Sequence, residues 1–298
     1  MVNELNTAQE QTARKTEQVL DILFKAFRLP EQGRGRRILR PLVWKPAAGF
    51  TRLFEEIEQA RSDHGLAAAA RRGLREFVQT VQVSGNEHIP AKGPLLIVTN
   101  HVGAYDVLVI LSQILRNDIK AIASDVPFLH SLSVLNQHLI FTNFQANSGM
   151  QAARQALRHL KDGGALLLFA SAGIDPDPAL DRDSARHELQ NWKPSLDIFL
   201  RQVPETQVVV SMVSGIVERR WAKHPLTRLG KRPIDRRRIA EIMQIVQQLL
   251  SPGKRLVSPR IQFAPPLTIM ELDGDARNAL IHRGEEMLSS QGHFNSNQ

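Results

Sequence analysis

Short, mainly apolar runs, separated by stretches of helical periodicity, constrain this chain more than any other feature. Residues 95–98 (LLIV), 119–123, 139–142, 165–169 and 208–213 are each four to six residues long. Runs of that length, bounded by polar turns, suit strands buried on both faces, as in a parallel sheet covered by helices. Helical patterns at 107–115 and 149–161 separate them, so the chain reads as an α/β protein with a mixed, mostly parallel sheet flanked by helices. Residues 78–83 alternate apolar and polar like a half-buried strand, and Ser84-Gly85-Asn86 turns the chain. Further on, 235–250 is an amphipathic helix, 260–263 a strand ending before Pro265-Pro266, and 273–288 another helix.

Ahead of the first strand the pattern is helical. Val19, Leu20, Leu23, Ala26 and Phe27 fall at helical spacing within 12–29, before Pro30. Residues 33–45 are basic and include Trp44. They read either as a surface loop or as an interfacial element whose Arg and Lys meet anionic headgroups while Trp and Leu enter the acyl boundary. A second helical region runs over 50–77, interrupted near Gly65. The expected organisation is a helical, interfacial annex at 1–78, an α/β domain at 79–288 and a disordered tail at 289–298.

Composition narrows the partners. The chain has 298 residues, no cysteine and a formal net charge of +8. Disulfides, thiolate metal sites and a cysteine nucleophile are excluded, which suits a reducing compartment such as the cytoplasm. The positive balance favours anionic partners. The N-terminal segment is polar, without the apolar core of a secretory signal. No window approaches the roughly 20 apolar residues of a spanning helix; a membrane-bound form would lie on the surface. Lys231, Arg232 and Arg236-Arg237-Arg238 form a basic cluster. A nucleic-acid surface would interleave aromatics with such cations, whereas the chain has one tyrosine and three tryptophans. No nucleic-acid partner is expected. Residues 175–183 are rich in Asp but lack the glycine and closing glutamate of a calcium loop, and read as a solvent loop. His130, His138 and His159 have no metal-ligand spacing, so no metal is expected.

The chemistry concentrates in Thr99-Asn100-His101-Val102-Gly103-Ala104-Tyr105-Asp106, where a strand ends and a helix begins. Positions five apart in one helix diverge by about 140°. His101 and Asp106 meet only if His101 lies in the turn and Asp106 on the first helical turn, which Gly103 makes easier. A carboxylate on one imidazole nitrogen leaves the other free to take a proton from a hydroxyl. With no Gly-x-Ser-x-Gly elbow and no cysteine, direct attack by an acceptor hydroxyl is the natural scheme. Spacing alone equally allows Asp106 simply to sit at the positive end of a helix with His101 hydrogen-bonded nearby.

Val81 to Pro90, then Gly93 to His101 and Asp106, resemble the opening of the PlsC-type glycerolipid acyltransferases: a strand, Gly-x-Glu-x-(Ile/Leu)-Pro, a second strand, and Asn-His-x-x-x-x-Asp. The resemblance spans roughly residues 78–220. It implies transfer of a fatty acyl group from acyl-CoA or acyl carrier protein, as co-substrate rather than cofactor, to a hydroxyl of a (lyso)phospholipid-like acceptor. His101 would be the general base and Asp106 its support. Together with the basic amphipathic elements, it leads to the expectation of a protein peripheral on the cytoplasmic, inner face of an anionic membrane.

The later family blocks are altered. The second falls on Ile140 to Asn143, with Asn143 where an arginine grips the acceptor phosphate. The third, Phe-Pro-Glu-Gly, falls on Phe169-Ala170-Ser171-Ala172-Gly173 and keeps only the Gly of its Pro-Glu-Gly end. The fourth places Ser211 at a proline. Trp192-Lys193-Pro194-Ser195 resembles a Phe-Lys-x-Gly element without its glycine. The expected substrate-binding residues are Asn100, Asn143, Ser171, Gly173 and Lys193. Either the acceptor has another headgroup, or Lys193, Arg219 or Arg220 takes over the phosphate. A lipid-binding relative without activity is the alternative reading.

Overall fold

The computed structural model describes residues 2–143, 148–272 and 275–290. Three helices come first: α1 (Val2–Ala26), α2 (Arg34–His64) and α3 (Leu66–Leu74). There follow β1 (Gln82–Ser84), β2 (Leu95–Thr99), α4 (Asp106–Leu111), β3 (Ile119–Ser124), α5 (Pro127–His130), β4 (Leu139–Thr142), α6 (Ser148–Lys161) and β5 (Ala165–Phe169). The chain ends with α7 (Arg182–Leu189), α8 (Ser195–Gln202), β6 (Gln207–Ser214), α9 (Arg219–Ala222), α10 (Pro233–Leu250), β7 (Arg260–Phe263) and α11 (Ala276–Ser290).

The seven strands form one sheet in the order β1-β7-β6-β2-β5-β3-β4. Every neighbouring pair is parallel except β6 and β7. The apolar runs behave as doubly buried strands. Leu95 and Ile97 of β2 face α2, α3 and α4, while Leu96 and Val98 face α6, α8 and α11. Each such side chain taken out of water is worth about 1.5–3 kcal/mol, so the central strands hold three layers together. The N-terminal helices share this core: Leu53 and Ile57 of α2 and Ala69 and Ala70 of α3 lie in one cluster with Leu95, Ile97 and Val209.

Several expectations need correction. Of the two readings of residues 33–45 the surface loop is overturned: Gly33 is the N-cap and 34–45 open the 31-residue helix α2, which carries Pro41 and Pro46 inside it. Packing overrides propensity there. Arg36 bonds Leu29 O and Asp21, and Ala47 is buried with Val19 and Leu20 of α1. The strand at 78–83 shrinks to Gln82–Ser84, with Val78 making only an isolated bridge to Val257. Its partner segment contains Pro259, which has no N–H to give the ladder. The solvent loop at 175–183 is buried in its first half, Asp175 and Asp177 being 4% and 6% exposed. Of the last helix and the tail, Asp273, Gly274 and 291–298 lie outside the described residues, and Ser289 and Ser290 belong to α11.

Candidate active site

β2 is flanked by β5 and β6, and its C-terminal end opens where those two strands also end. Open α/β sheets bind ligands at such edges. Asn100 continues the strand by side chain: Nδ2 donates to Val213 O at 2.9 Å, and Oδ1 accepts the Val213 N–H at 2.8 Å. Its amide pins β2 to β6 and so aims the next residue, His101.

Asp106 opens α4 and is fully buried. Its Oδ2 accepts the N–H groups of Val102 at 2.7 Å and Gly103 at 3.1 Å, and lies 2.9 Å from His101 Nδ1. The carboxylate therefore shapes the turn and holds the imidazole together. Since Asp106 can only accept, Nδ1 carries the proton and Nε2 is left for another partner. Phe169, from the end of β5, packs on the ring at 4.4 Å between centroids.

Two buried acids complete the surroundings, and sequence reasoning missed both. Asp175 accepts the His101 N–H at 2.9 Å and the Ser171 hydroxyl at 2.5 Å, and its own N–H donates to His101 O. Glu241 of α10 is 5% exposed and accepts the Ala104 N–H. Burial pushes Asp175 up to about 6 against its bonds from Ser171 and His101. Burial likewise pushes Glu241 up to about 7, against the pull of His101 and the Ala104 N–H. Burial pulls His101 down, but the Asp106 charge and hydrogen bond outweigh it, with Glu241 and Asp175 adding to the rise, to about 9. A third acid, Asp177, accepts the N–H groups of Gly215, Ile216 and Val217 and ties this loop to the end of β6.

His101 lines a cavity of about 540 Å³, well inside the roughly 300–1,000 Å³ of small-molecule sites. Its walls are apolar almost throughout, with Phe50 and Ile57 from α2, Leu108 from α4, Ile122 from β3, Phe128 from α5 and Ile245 from α10 among them. Because β2, β3 and β4 are parallel, His101 marks the C-terminal end of the strands, and Ile119 and His138 mark the N-terminal end. The cavity thus runs the length of the sheet face beneath the N-terminal helices. His138, at the far end, is capped by Arg61 at 2.9 Å and lies 2.9 Å from Ile119 O.

The sequence-picked residues distribute unevenly. Ser171 and Gly173 lie in the loop after β5 and bond each other, Ser171 reaching Asp175 and so the backbone of His101. Ala172 between them lines the cavity in a left-handed conformation, φ 58°. Asn143 is elsewhere: its Nδ2 donates to Asp125 at 2.9 Å, and it does not line the cavity. The Lys193 side chain is exposed and also outside the lining, its N–H serving Ala170 O. Arg220 is held by Glu218 and Gln247, and neither it nor Arg219 reaches the cavity wall. The cation that does line it is Arg238. Glu241 and Arg238 sit three apart in the helix expected at 235–250, and a buried Glu on its apolar face was the available signal. Among the described residues no group of three His, Asp or Glu is placed to hold a metal ion.

The His–Asp pair stands at the end of β2 beside a long apolar cavity, and residues 80–196 match the family profile described as Acyltransferase. The matched segment reaches from just before β1 into α8 and contains both His101 and Asp106. The crystal structure of the 1-acyl-sn-glycerophosphate (LPA) acyltransferase PlsC from Thermotoga maritima is similar at 17% identity, over 93% of this chain and 97% of that one, with a TM-score of 0.42. No curated protein matches the chain.

Proposed function

We propose that the protein is an O-acyltransferase of the glycerolipid type, moving a fatty acyl group from acyl-CoA or an acyl carrier protein to a hydroxyl of a (lyso)phospholipid-like acceptor. One observation carries the reading: the free edge of a His–Asp dyad faces an apolar cavity large enough for an aliphatic chain. The chain would lie along the sheet face with its thioester carbonyl at His101. Nε2 of neutral His101 takes the proton of the acceptor hydroxyl as its oxygen attacks the carbonyl. The C–S bond breaks, and the proton passes from the imidazolium to the leaving thiolate. Asp106 holds the tautomer and stabilises the imidazolium, so the products are an ester and a free thiol. The scheme calls for no metal or prosthetic group.

A membrane site for this reaction is supported by α2. Ile38 and Leu42, one turn apart, are 69% and 67% exposed. Arg34, Arg37 and Lys45 are exposed around them. Apolar residues ringed by cations suit an anionic lipid surface, and we place the protein peripherally on the inner, cytoplasmic face. No helix among the described residues is long and apolar enough to cross a membrane.

The test is acyl transfer from acyl-CoA to a panel of lipid acceptors by wild type and His101→Ala. Equal turnover by both removes His101 from the mechanism. The altered second and third blocks favour the alternative, lipid binding without transfer, and that reading wins if wild type retains lipid and consumes no thioester.

A further inference from the structure

We infer that Arg238 is the residue that grips the acceptor's phosphate, a specificity determinant that rests on the acyl-transfer reading above. Four charged or titratable side chains line the cavity among the described residues: His101, His138, Arg238 and Glu241. His138 is at the far end, bonded to Arg61 and facing Ile119 O. Arg238 is exposed and has no hydrogen bond or ion pair with any described residue. Its neighbours are engaged: Arg236 bonds Gly230 O, Arg237 bonds Ile174 O and faces Glu188, and Arg232 pairs with Asp235.

Three contacts of its helix neighbours fix where Arg238 stands. One turn further along α10, Glu241 bonds the Ala104 N–H in the His101 turn. One residue earlier, Arg237 reaches Ile174, and Ile234 packs on Gly173 in the loop after β5. Arg238 therefore sits over the gap between the base and the altered third block, about one helical turn of 5.4 Å from the acid that touches the base's own loop. In a glycerol phosphate lipid the phosphate lies a few bonds from the reacting hydroxyl. An alcohol presented to His101 Nε2 would carry its phosphate toward this guanidinium, whose planar fork suits phosphoryl oxygens. Asn143, standing where the resemblance expects a cation, is turned to Asp125 instead.

The experiment compares wild type, Arg238→Ala and Arg238→Lys on 1-acylglycerol 3-phosphate and on monoacylglycerol, in the same micelles with the same acyl-CoA. The ratio of kcat/KM for the phosphate-bearing over the neutral acceptor should fall roughly ten- to a hundredfold in Arg238→Ala, the size of a lost charge-assisted contact, and less in Arg238→Lys. An unmoved ratio overturns the assignment. So does a loss that vanishes when the donor is a phosphate-free thioester, because the phosphate gripped would then be the donor's. Calorimetric binding of 1-acylglycerol 3-phosphate reads Arg238 without turnover, and equal affinity of wild type and Arg238→Ala also overturns it. Tight binding with no transfer to any acceptor by wild type would instead sink the acyl-transfer reading and leave the phosphate site standing.

Discussion

His101 is ringed by acids, and its behaviour follows from that. Its proton is held to about 9, burial opposing and Asp106 favouring the charged form. As the general base proposed above, His101 must be neutral to act, so kcat/KM should climb with pH toward that value, above the roughly 6.5 of free imidazole. Asp106→Asn should move the rising limb down and lower kcat by the roughly 10²–10⁴-fold of a disabled base. A pH–rate profile decides, and a wild-type limb at the free imidazole value would contradict the pairing. For stability, the raised His101 value means its contribution is complete below about 6.5 and disappears as pH rises through about 9. Glu241 acts in the same direction, as a penalty: its burial cost is absent below 4.5 and complete above about 7. Glu241→Gln, which can still accept from Ala104, should therefore raise the urea midpoint at pH 8 more than at pH 5. The His–Asp pair was legible in the sequence because five residues of turn decide the contact. Glu241 lies 137 residues beyond Ala104, and only the path of α10 brings them together.

At the level of elements, the Gly-x-Glu-x-Ile-Pro segment has a physical explanation. Gly85 has φ 75°, and a Cβ there would stand 2.1 Å from the Phe263 carbonyl oxygen. Gly85→Ala combines a left-handed backbone, costing roughly 1–2 kcal/mol, with a clash against β7 that neither strand can escape. It should lower stability by more than about 2 kcal/mol in urea melts, and a midpoint equal to wild type would show the turn to be loose. Strands were the legible elements, because doubly buried runs look alike wherever they occur. The start of α2 was not, because one proline and five cations over 33–45 argue locally for a loop, and the stabilising contacts come from α1, a separate helix. The buried half of 175–183 was equally hidden, since its acids are satisfied by backbone N–H groups from other segments.

For the molecule as a whole, the proposed contact with a lipid surface rests on the +8 charge and the exposed stripe of α2. Binding to anionic vesicles should weaken as salt rises, and Ile38→Glu with Leu42→Glu should weaken it further, read by co-sedimentation. Retained binding in the double variant would move the contact elsewhere. The apolar cavity beneath α1, α2 and α3 carries one further consequence. A long aliphatic guest lying along those walls would gain the dispersion contacts of a packed interior. Long-chain guests should raise the melting temperature in proportion to how fully they occupy the cavity, and protein taken from cells should arrive with such a guest already aboard.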